Sequence, residues 1–258
     1  MAVPNLDLSG KRALICGGSA GIGRATAVAL AGLGASVTVL ARRAERLEAL
    51  VAELRAGGAE ADAITADLDD RKALAAAVGP GRWEILINNT GGPPGGRLVD
   101  ADPEALELAF GRHVLAAQTL LRICLPHMEA QHYGRVINVL STSVREPIPF
   151  LGVSNTVRGA MAAWAKSVSK ELPPGLTINN ILPGFTDTER LGSLKSAVAA
   201  RTGATEDAVY QGWLARVPEG RLGQPEELAG AIAFLASPAG AYIRGQSLAV
   251  DGGRLNSI

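Results

Sequence analysis

The stretch RALICGGSAGIGRATAVALAGLGASVTVLARR, residues 12–43, decides the fold. A short apolar run ends at Cys16, glycines follow at Gly17, Gly21 and Gly23, and a helical pattern begins among them. A second apolar run, SVTVLA (36–41), follows that helix. A glycine turn alone can be purely structural. Between a strand and a helix, however, it is typical of a unit in which the backbone approaches a dinucleotide pyrophosphate closely and the helix N-terminus offers free N–H groups.

The same alternation of strand and helix continues along the chain. Between the apolar runs lie segments with helical periodicity, at 43–56, 103–125 and 156–171. Parallel strands need crossover helices, so the pattern predicts an α/β fold with one parallel sheet and helices on both of its faces. The predicted strands are 12–16, 36–41, 60–65, 84–88, 134–140, 176–182 and 247–250.

We expect a single domain over residues 1–258. The loop GGPPGG (91–96) is not a boundary, because the alternation resumes after it. Residues 185–222 depart from the rhythm, as a long segment with helical patches before the last strand. Long excursions at the carboxyl ends of strands usually cover a site, so this segment is predicted to be a substrate lid.

Composition narrows the function classes. The formal net charge of the 258 residues is zero, which argues against nucleic acid or an anionic membrane as the main partner. Two cysteines give no disulfide framework, the N-terminus has no signal-peptide pattern, and no apolar run looks long enough to cross a bilayer. The three histidines and two cysteines lack metal-ligand spacing. We therefore expect a cytoplasmic protein that holds no metal.

The end of the second strand bears on the choice between NAD and NADP. An acid there binds the ribose 2′-hydroxyl, whereas a cation accommodates a 2′-phosphate. This chain has Arg42 and Arg43, with no acid until Glu45. Arginine can give a phosphate two parallel hydrogen bonds, so NADP(H) is favoured over NAD(H). The alternative is that both arginines are solvated surface groups.

Further motifs follow in a characteristic order. They are GxxxGxG from Gly17, NNTG at 88–91, PG at 183–184 and GQSLAVDGG at 245–253. In this set the chain resembles the short-chain dehydrogenase/reductases, and among them the β-ketoacyl-carrier-protein reductases. The resemblance implies a Rossmann-type, doubly wound α/β sheet of about seven strands, a nicotinamide cofactor, and a small carbonyl or alcohol substrate. It also implies a homo-oligomer, a tetramer or dimer, paired through the helix at about 153–172.

The resemblance assigns cofactor contacts to this chain. Asp67 matches the position that contacts adenine, Asn89 the position beside a ribose, and Thr186 and Thr188 the positions that flank the nicotinamide amide. The full set of predicted cofactor-binding residues is Gly17, Ser19, Gly21, Ile22, Gly23, Arg42, Arg43, Asp67, Leu68, Asn89, Gly91, Pro183, Gly184, Thr186 and Thr188.

The catalytic positions depart from the family pattern. The family uses Ser, Tyr, Lys and Asn to hold and protonate the carbonyl oxygen. Ser141 matches the serine, but Ser154 stands at the tyrosine position, Arg158 at the lysine position and His113 at the asparagine position. None of the three tyrosines, at 133, 210 and 242, lies near enough in sequence to replace the missing one.

Two hypotheses follow from these four residues. In the first, the protein is an NADP(H)-dependent oxidoreductase with an altered proton route through Ser141, Ser154, His113 or bound water. An imidazole that titrates near pH 6.5 can supply an acid, whereas a serine is a weak acid and an arginine does not deprotonate. In the second, the protein binds the cofactor without redox turnover. Its role is then structural, sensory or non-redox catalysis. The purely structural alternative for the residues themselves is an N-cap for Ser154, a solvated side chain for Arg158 and a hydrogen-bonded helix position for His113.

Substrate identity is not encoded in an obvious motif. The predicted lid supplies several apolar side chains, and more precede Ser154. They predict either an apolar pocket wall or an oligomer contact. They are Ile148, Phe150, Leu151, Leu191, Leu194, Val198, Tyr210 and Trp213.

Overall fold

A computed structural model describes residues 5–257 of the chain. Seven parallel strands form one sheet in the order β3-β2-β1-β4-β5-β6-β7. Their bounds are β1 Arg12–Cys16, β2 Ser36–Ala41, β3 Ala61–Thr65, β4 Ile85–Asn89, β5 Gly134–Val139, β6 Leu176–Pro183 and β7 Ser247–Val250. The seven predicted strands are thus confirmed, each to within one residue. The order reverses at β1, which pairs with both β2 and β4, so the switch point falls at the end of β1.

Helices cover both faces of the sheet, as predicted. Side chains alternate along a strand, so Ile15 of β1 packs into one apolar core and Leu14 into the other. The first core meets α1, α2 and α9, and the second meets α3, α5 and α6. The helices are α1 Gly21–Gly32, α2 Ala44–Ala56, α3 Arg71–Val78, α4 Pro103–Phe110, α5 Ala116–Ala130, α6 Gly152–Glu171, α7 Glu189–Thr202, α8 Glu206–Leu214 and α9 Pro225–Ala236.

Two of the predicted helices differ in detail. The segment predicted at 103–125 is a longer run, in which a π-helical turn, Gly111–Leu115, joins α4 to α5. The helix predicted at 156–171 begins earlier, at Gly152. Such π turns are frequent at functional sites, and this one carries His113.

The continuous helical run Pro103–Ala130 is long and apolar enough to cross a membrane by length and composition, contrary to the expectation that no segment is. Half of its most apolar window is buried inside the fold, where Leu120 and Cys124 pack in the core. The core helix of a soluble protein has the same character, so this run is weak support for a membrane span.

The segment 185–222 forms a helical layer over the carboxyl ends of the strands. α7 and α8 share a small apolar cluster of Ala199, Val209 and Trp213. The ring of Trp213 stacks on that of Phe185, with the ring centroids 5.1 Å apart. This cluster, separate from the two main cores, lets the segment pack as a unit beside the cavity described below.

Candidate active site

The glycine turn after β1 leaves no room for side chains. Gly17 has φ +62°, and a Cβ on it would lie 2.5 Å from the carbonyl oxygen of Asn89. A Cβ on Gly23 would lie 2.2 Å from the carbonyl oxygen of Gly17. Asn89 donates a hydrogen bond from Nδ2 to that same carbonyl at 3.3 Å. With no acidic residue in the first turn of α1, the free N–H groups there make a cradle that fits an anionic pyrophosphate.

One cavity of about 980 Å³ runs from this turn across the carboxyl ends of the strands. It brings together all the predicted cofactor and catalytic residues except Gly23 and His113. Gly23 lies beneath the turn, and His113 is buried behind the cavity wall. The predicted residues that line the cavity are Gly17, Ser19, Gly21, Ile22, Arg42, Arg43, Asp67, Leu68, Asn89, Gly91, Ser141, Ser154, Arg158, Pro183, Gly184, Thr186 and Thr188.

Arg42 and Arg43 lie at the outer edge of the cavity with half or more of each side chain exposed. Arg43 donates to Ser19 Oγ at 3.3 Å and lies 3.8 Å from a carboxylate oxygen of Glu189. Arg42 lies 3.7 Å from Asp67. These long, exposed contacts are weak, so both guanidinium groups are able to turn toward a phosphate.

The PG motif after β6 closes the other side of the cavity. A Cβ on Gly184 would lie 2.7 Å from Cα of Asp251, so this turn packs against the terminal VDGG motif. Thr188 caps α7 by accepting a hydrogen bond from the backbone of Leu191. Its methyl group faces the glycine turn, at 3.1 Å from the position of a Cβ on Gly21. The two turns thus face each other across a narrow gap, which a Cβ on Gly21 would tighten.

Ser141 and Ser154 meet at the inner end of the cavity with Arg158. Ser141 caps the 3₁₀ turn after β5 by accepting from the backbone N–H of Ser143 at 3.1 Å. The expectation that Ser154 caps α6 is wrong. That helix begins at Gly152, its N-cap position is Leu151, and Ser154 lies inside the first turn.

Arg158 is a buried anchor and not a solvated side chain. Its Nε donates to Ser154 Oγ at 3.2 Å, and its Nη1 donates to the carbonyl oxygens of Val139 at 3.2 Å and Leu140 at 2.6 Å. Burial, and then the charge of Arg190, lowers the pKa of Arg158 to about 10. The guanidinium therefore stays charged near neutral pH and contributes a fixed positive charge beside Ser154.

His113 does not have the titration expected of it. Its side chain is only 5 % exposed, and its Nδ1 lies 2.7 Å from Thr90 Oγ1. Burial, followed by the charges of Arg158 and Arg112, lowers the pKa of His113 to about 3. The imidazole is neutral at physiological pH and does not reach the cavity, so it is not a direct cationic acid. Thr90, which does line the cavity, connects the ring to it by a hydrogen bond.

Apolar side chains cover the substrate end. Of the eight predicted, all but Tyr210 line the cavity in the single chain, and the alternative of an oligomer contact stays open. The residues that line it are Ile148, Phe150, Leu151, Leu191, Leu194, Val198 and Trp213. All three tyrosines lie within the described residues, and none of them lines the cavity.

The amino-acid sequence matches the family described as enoyl-(acyl carrier protein) reductase over residues 17–254, nearly the whole chain. The chain belongs to the short-chain dehydrogenase/reductase family. A 2-keto-3-deoxy-L-fuconate dehydrogenase of Xanthomonas campestris is 34 % identical over 98 % of this chain and 83 % of its own. A 3-oxoacyl-[acyl-carrier-protein] reductase of Synechocystis is 32 % identical over 95 % of this chain and 97 % of its own. The predicted class, an oxidoreductase of this family, is therefore confirmed.

The chain is also similar in shape to a solved structure. L-sorbose reductase from Gluconobacter frateurii, complexed with NADPH and L-sorbose, superposes with a TM-score of 0.91 at 28 % identity. The match covers 98 % of this chain and 99 % of the other. The nicotinamide cofactor of that enzyme agrees with the cofactor predicted from the glycine turn and the arginines after β2.

Reasoning from the sequence missed several residues of this short-chain dehydrogenase/reductase site. Arg190 donates to the carbonyl oxygen of Pro93 at 2.8 Å and its charge acts on Arg158. Arg254 donates to Thr142 Oγ1 and lies over the ring of Phe185. No motif marks these arginines. The only available signal was that arginines cluster in the lid and in the C-terminal segment.

Proposed function

We propose that the protein is an NADP(H)-dependent oxidoreductase that interconverts a small carbonyl compound and its alcohol. The observation that carries this proposal is the single continuous cavity. Its outer half has the glycine cradle and two arginines suited to a 2′-phosphate, and its inner half has Ser141, Ser154 and Arg158. The segment 185–222 acts as a lid over the inner half of this single domain.

The residues that would hold NADP(H) are the glycine turn for the pyrophosphate, Arg42 and Arg43 for the 2′-phosphate, and Thr186 and Thr188 at the far end. A bound NADPH supplies a hydride to a carbonyl carbon. The carbonyl oxygen then needs one proton to complete the alcohol, and this proton is what the chain must deliver.

The proton route is an unusual one. Arg158 places a fixed charge beside Ser154, which stabilises negative charge on a substrate oxygen but releases no proton near neutral pH. Thr90 lines the cavity and is hydrogen-bonded to the neutral ring of His113. A neutral imidazole has one donor and one acceptor nitrogen, so this pair can order a water and pass its proton. Ser141 holds the substrate oxygen.

A second candidate function is cofactor binding without redox turnover. The observation that favours it is that no tyrosine lines the cavity, which leaves the site without a phenol acid. General acid–base help is worth roughly 10² to 10⁴ in rate, so its loss slows hydride transfer without forbidding it.

The decisive experiment restores the acid. NADPH binding is first measured by fluorescence titration, and turnover is followed by NADPH absorbance over a panel of ketones, aldehydes and quinones. We expect the double variant Ser154→Tyr, Arg158→Lys to be faster than the parent by roughly 10²-fold or more. The matched control is Ser154→Phe with Arg158→Lys, which adds the ring without the hydroxyl. Equal rates for the two double variants would refute the proton-route argument.

Assembly and location are further parts of the proposal. A homo-oligomer, dimer or tetramer, is supported by Leu108, Phe110 and Leu115, which are exposed on the run Pro103–Ala130. A cytoplasmic location is supported by the two cysteines, Cys16 and Cys124, which are both free thiols, as is usual in a reducing compartment. Light scattering after size exclusion measures the assembly directly.

A further inference from the structure

The inner half of the cavity carries an excess of positive charge. Among the described residues that line it, five arginines have no carboxylate within 4.0 Å. Two nearby acids have other partners, although the charges of Asp251 and Glu146 still act on Arg254. Glu146 accepts hydrogen bonds from the backbone of residues 256 and 257, and Glu189 pairs with Arg43 and Arg46. The five arginines are Arg158, Arg190, Arg201, Arg216 and Arg254.

Two of these arginines converge at the reaction centre. A Cβ on Gly92 would lie 3.4 Å from Nη2 of Arg158 and 3.5 Å from Nη2 of Arg190, with Ser154 Oγ at 3.8 Å. Arg158 uses Nε and Nη1 to anchor itself, which leaves its Nη2 toward the cavity. Arg190 makes one hydrogen bond, from Nη2 to the carbonyl of Pro93, and its other nitrogens have no partner in the described part of the chain.

Two like charges that face each other beside a buried wall are unfavourable unless an anion lies between them. The partners they have are neutral carbonyl and hydroxyl groups, whose hydrogen bonds are weaker than those of a carboxylate. The effect is visible in Arg158, whose pKa is lowered by burial first and by Arg190 second. An arginine fork matches the two oxygens of a carboxylate.

We propose that the inner half binds an oxo acid, with its carboxylate held by Arg158 and Arg190 and its apolar body against the lid. This inference rests on the proposed oxidoreductase function and names its substrate class. The body lies against Ile148, Leu194, Val198 and Trp213. In the reaction the oxo carbon takes the hydride, its oxygen takes a proton from water, and NADPH becomes NADP⁺. The carboxylate is unchanged, and the product is a hydroxy acid.

The test measures binding and not turnover. 3-Phenylpropionate and 3-phenylpropionamide have the same apolar body, and only the first is charged. Each is titrated into the protein by calorimetry, first without nucleotide and then with saturating NADP⁺. The bound nucleotide occupies the phosphate-binding arginines, so that they cannot bind the carboxylate. We expect the carboxylate to bind at least about tenfold more tightly than the amide, the size of a charge-assisted hydrogen bond.

Two variants test whether Arg190 is responsible for the preference for the carboxylate over the amide. Arg190→Gln should remove most of it, whereas Arg55→Gln, an equal loss of charge on an exposed residue outside the cavity, should leave it intact. Equal binding of carboxylate and amide, or a preference that survives Arg190→Gln, overturns the inference.

The two proposals fail separately. If the protein reduces neutral ketones as well as it reduces the matching oxo acids, the oxidoreductase function stands and the oxo acid inference is wrong. If no panel substrate turns over but the carboxylate preference depends on Arg190, the anion site stands and the redox function is wrong.

Discussion

The buried imidazole of His113 makes the free energy of unfolding depend on pH between about 3 and 6.5. In the unfolded chain this histidine titrates near its ordinary value of 6.5, but in the fold its pKa is lowered to about 3 by burial and by two arginine charges. Between these values the unfolded state binds the extra proton. Stability is therefore greatest above about pH 6.5 and falls as the pH falls toward 3.

The magnitude follows from the shift. If the native ring stays neutral, linkage predicts a loss of about 2 kcal/mol in the free energy of unfolding between pH 7 and pH 5. The full shift corresponds to an upper bound of about 4 to 5 kcal/mol at about 1.36 kcal/mol per unit of pKa. Carboxylates with a lowered pKa, such as Asp69 beside Arg112, lose their contribution mainly below this window.

The assay is urea unfolding followed by circular dichroism, at both pH values and at one protein concentration. The matched variant is His113→Asn, which keeps a polar side chain for Thr90 and has nothing that titrates between pH 5 and pH 7. We expect the parent to lose about 2 kcal/mol more than the variant over this interval. If both lose the same amount, the ring is not held neutral, and the argument against His113 as a cationic acid fails.

Three further predictions concern the cavity. Gly23→Ala places a Cβ 2.2 Å from the carbonyl oxygen of Gly17 and should abolish NADPH binding in a fluorescence titration. The control is Gly32→Ala in the same helix, whose Cβ meets nothing within 4 Å, and this variant should bind NADPH normally. Arg43→Gln should lower the preference for NADPH over NADH by roughly tenfold or more, as measured by competition titration, and no change in this ratio would assign the 2′-phosphate elsewhere. Arg158→Met removes the donor to two carbonyl oxygens and should lower the free energy of unfolding by about 1 to 3 kcal/mol, against an unchanged value for exposed Arg97→Met.

Patterns that follow from backbone geometry could be predicted from the sequence. The five inner strands show as apolar runs because both of their faces are buried, whereas the edge strands β3 and β7 are partly exposed and were found from the alternation with helices. The glycine turn shows because its backbone packs against Asn89 and leaves no space for a Cβ. The positions of the cofactor residues could be predicted from these elements, because such residues lie at the carboxyl ends of the strands. The order of the strands is known once the strand–turn–helix unit after β1 is identified.

The chemistry of individual side chains could not be predicted in the same way. The pKa of His113 depends on how deeply the π turn buries it, on the neighbouring Arg112, and on Arg158, which comes close only after folding. Ser154 looked like a helix cap because its neighbours in sequence do not reveal that α6 begins at Gly152. Arg190 is distant in sequence from Pro93 and Arg158, and only the position of α7 brings them together.

These contacts give a physical reason for treating Ser154 and Arg158, which the resemblance aligns with the family's tyrosine and lysine, as one unit. A phenol beside an ammonium both stabilises charge and donates a proton, whereas a hydroxyl beside a guanidinium keeps the charge and loses the acid. Arg158 is locked by three hydrogen bonds, one of them to Ser154, so its charge is fixed in place and not available for proton transfer. In the proposed reaction, a site of this kind stabilises a developing oxyanion by preorganised charge. In the proposed reaction the proton comes from water, which the hydroxyl of Thr90, held by His113, can order on the cavity wall.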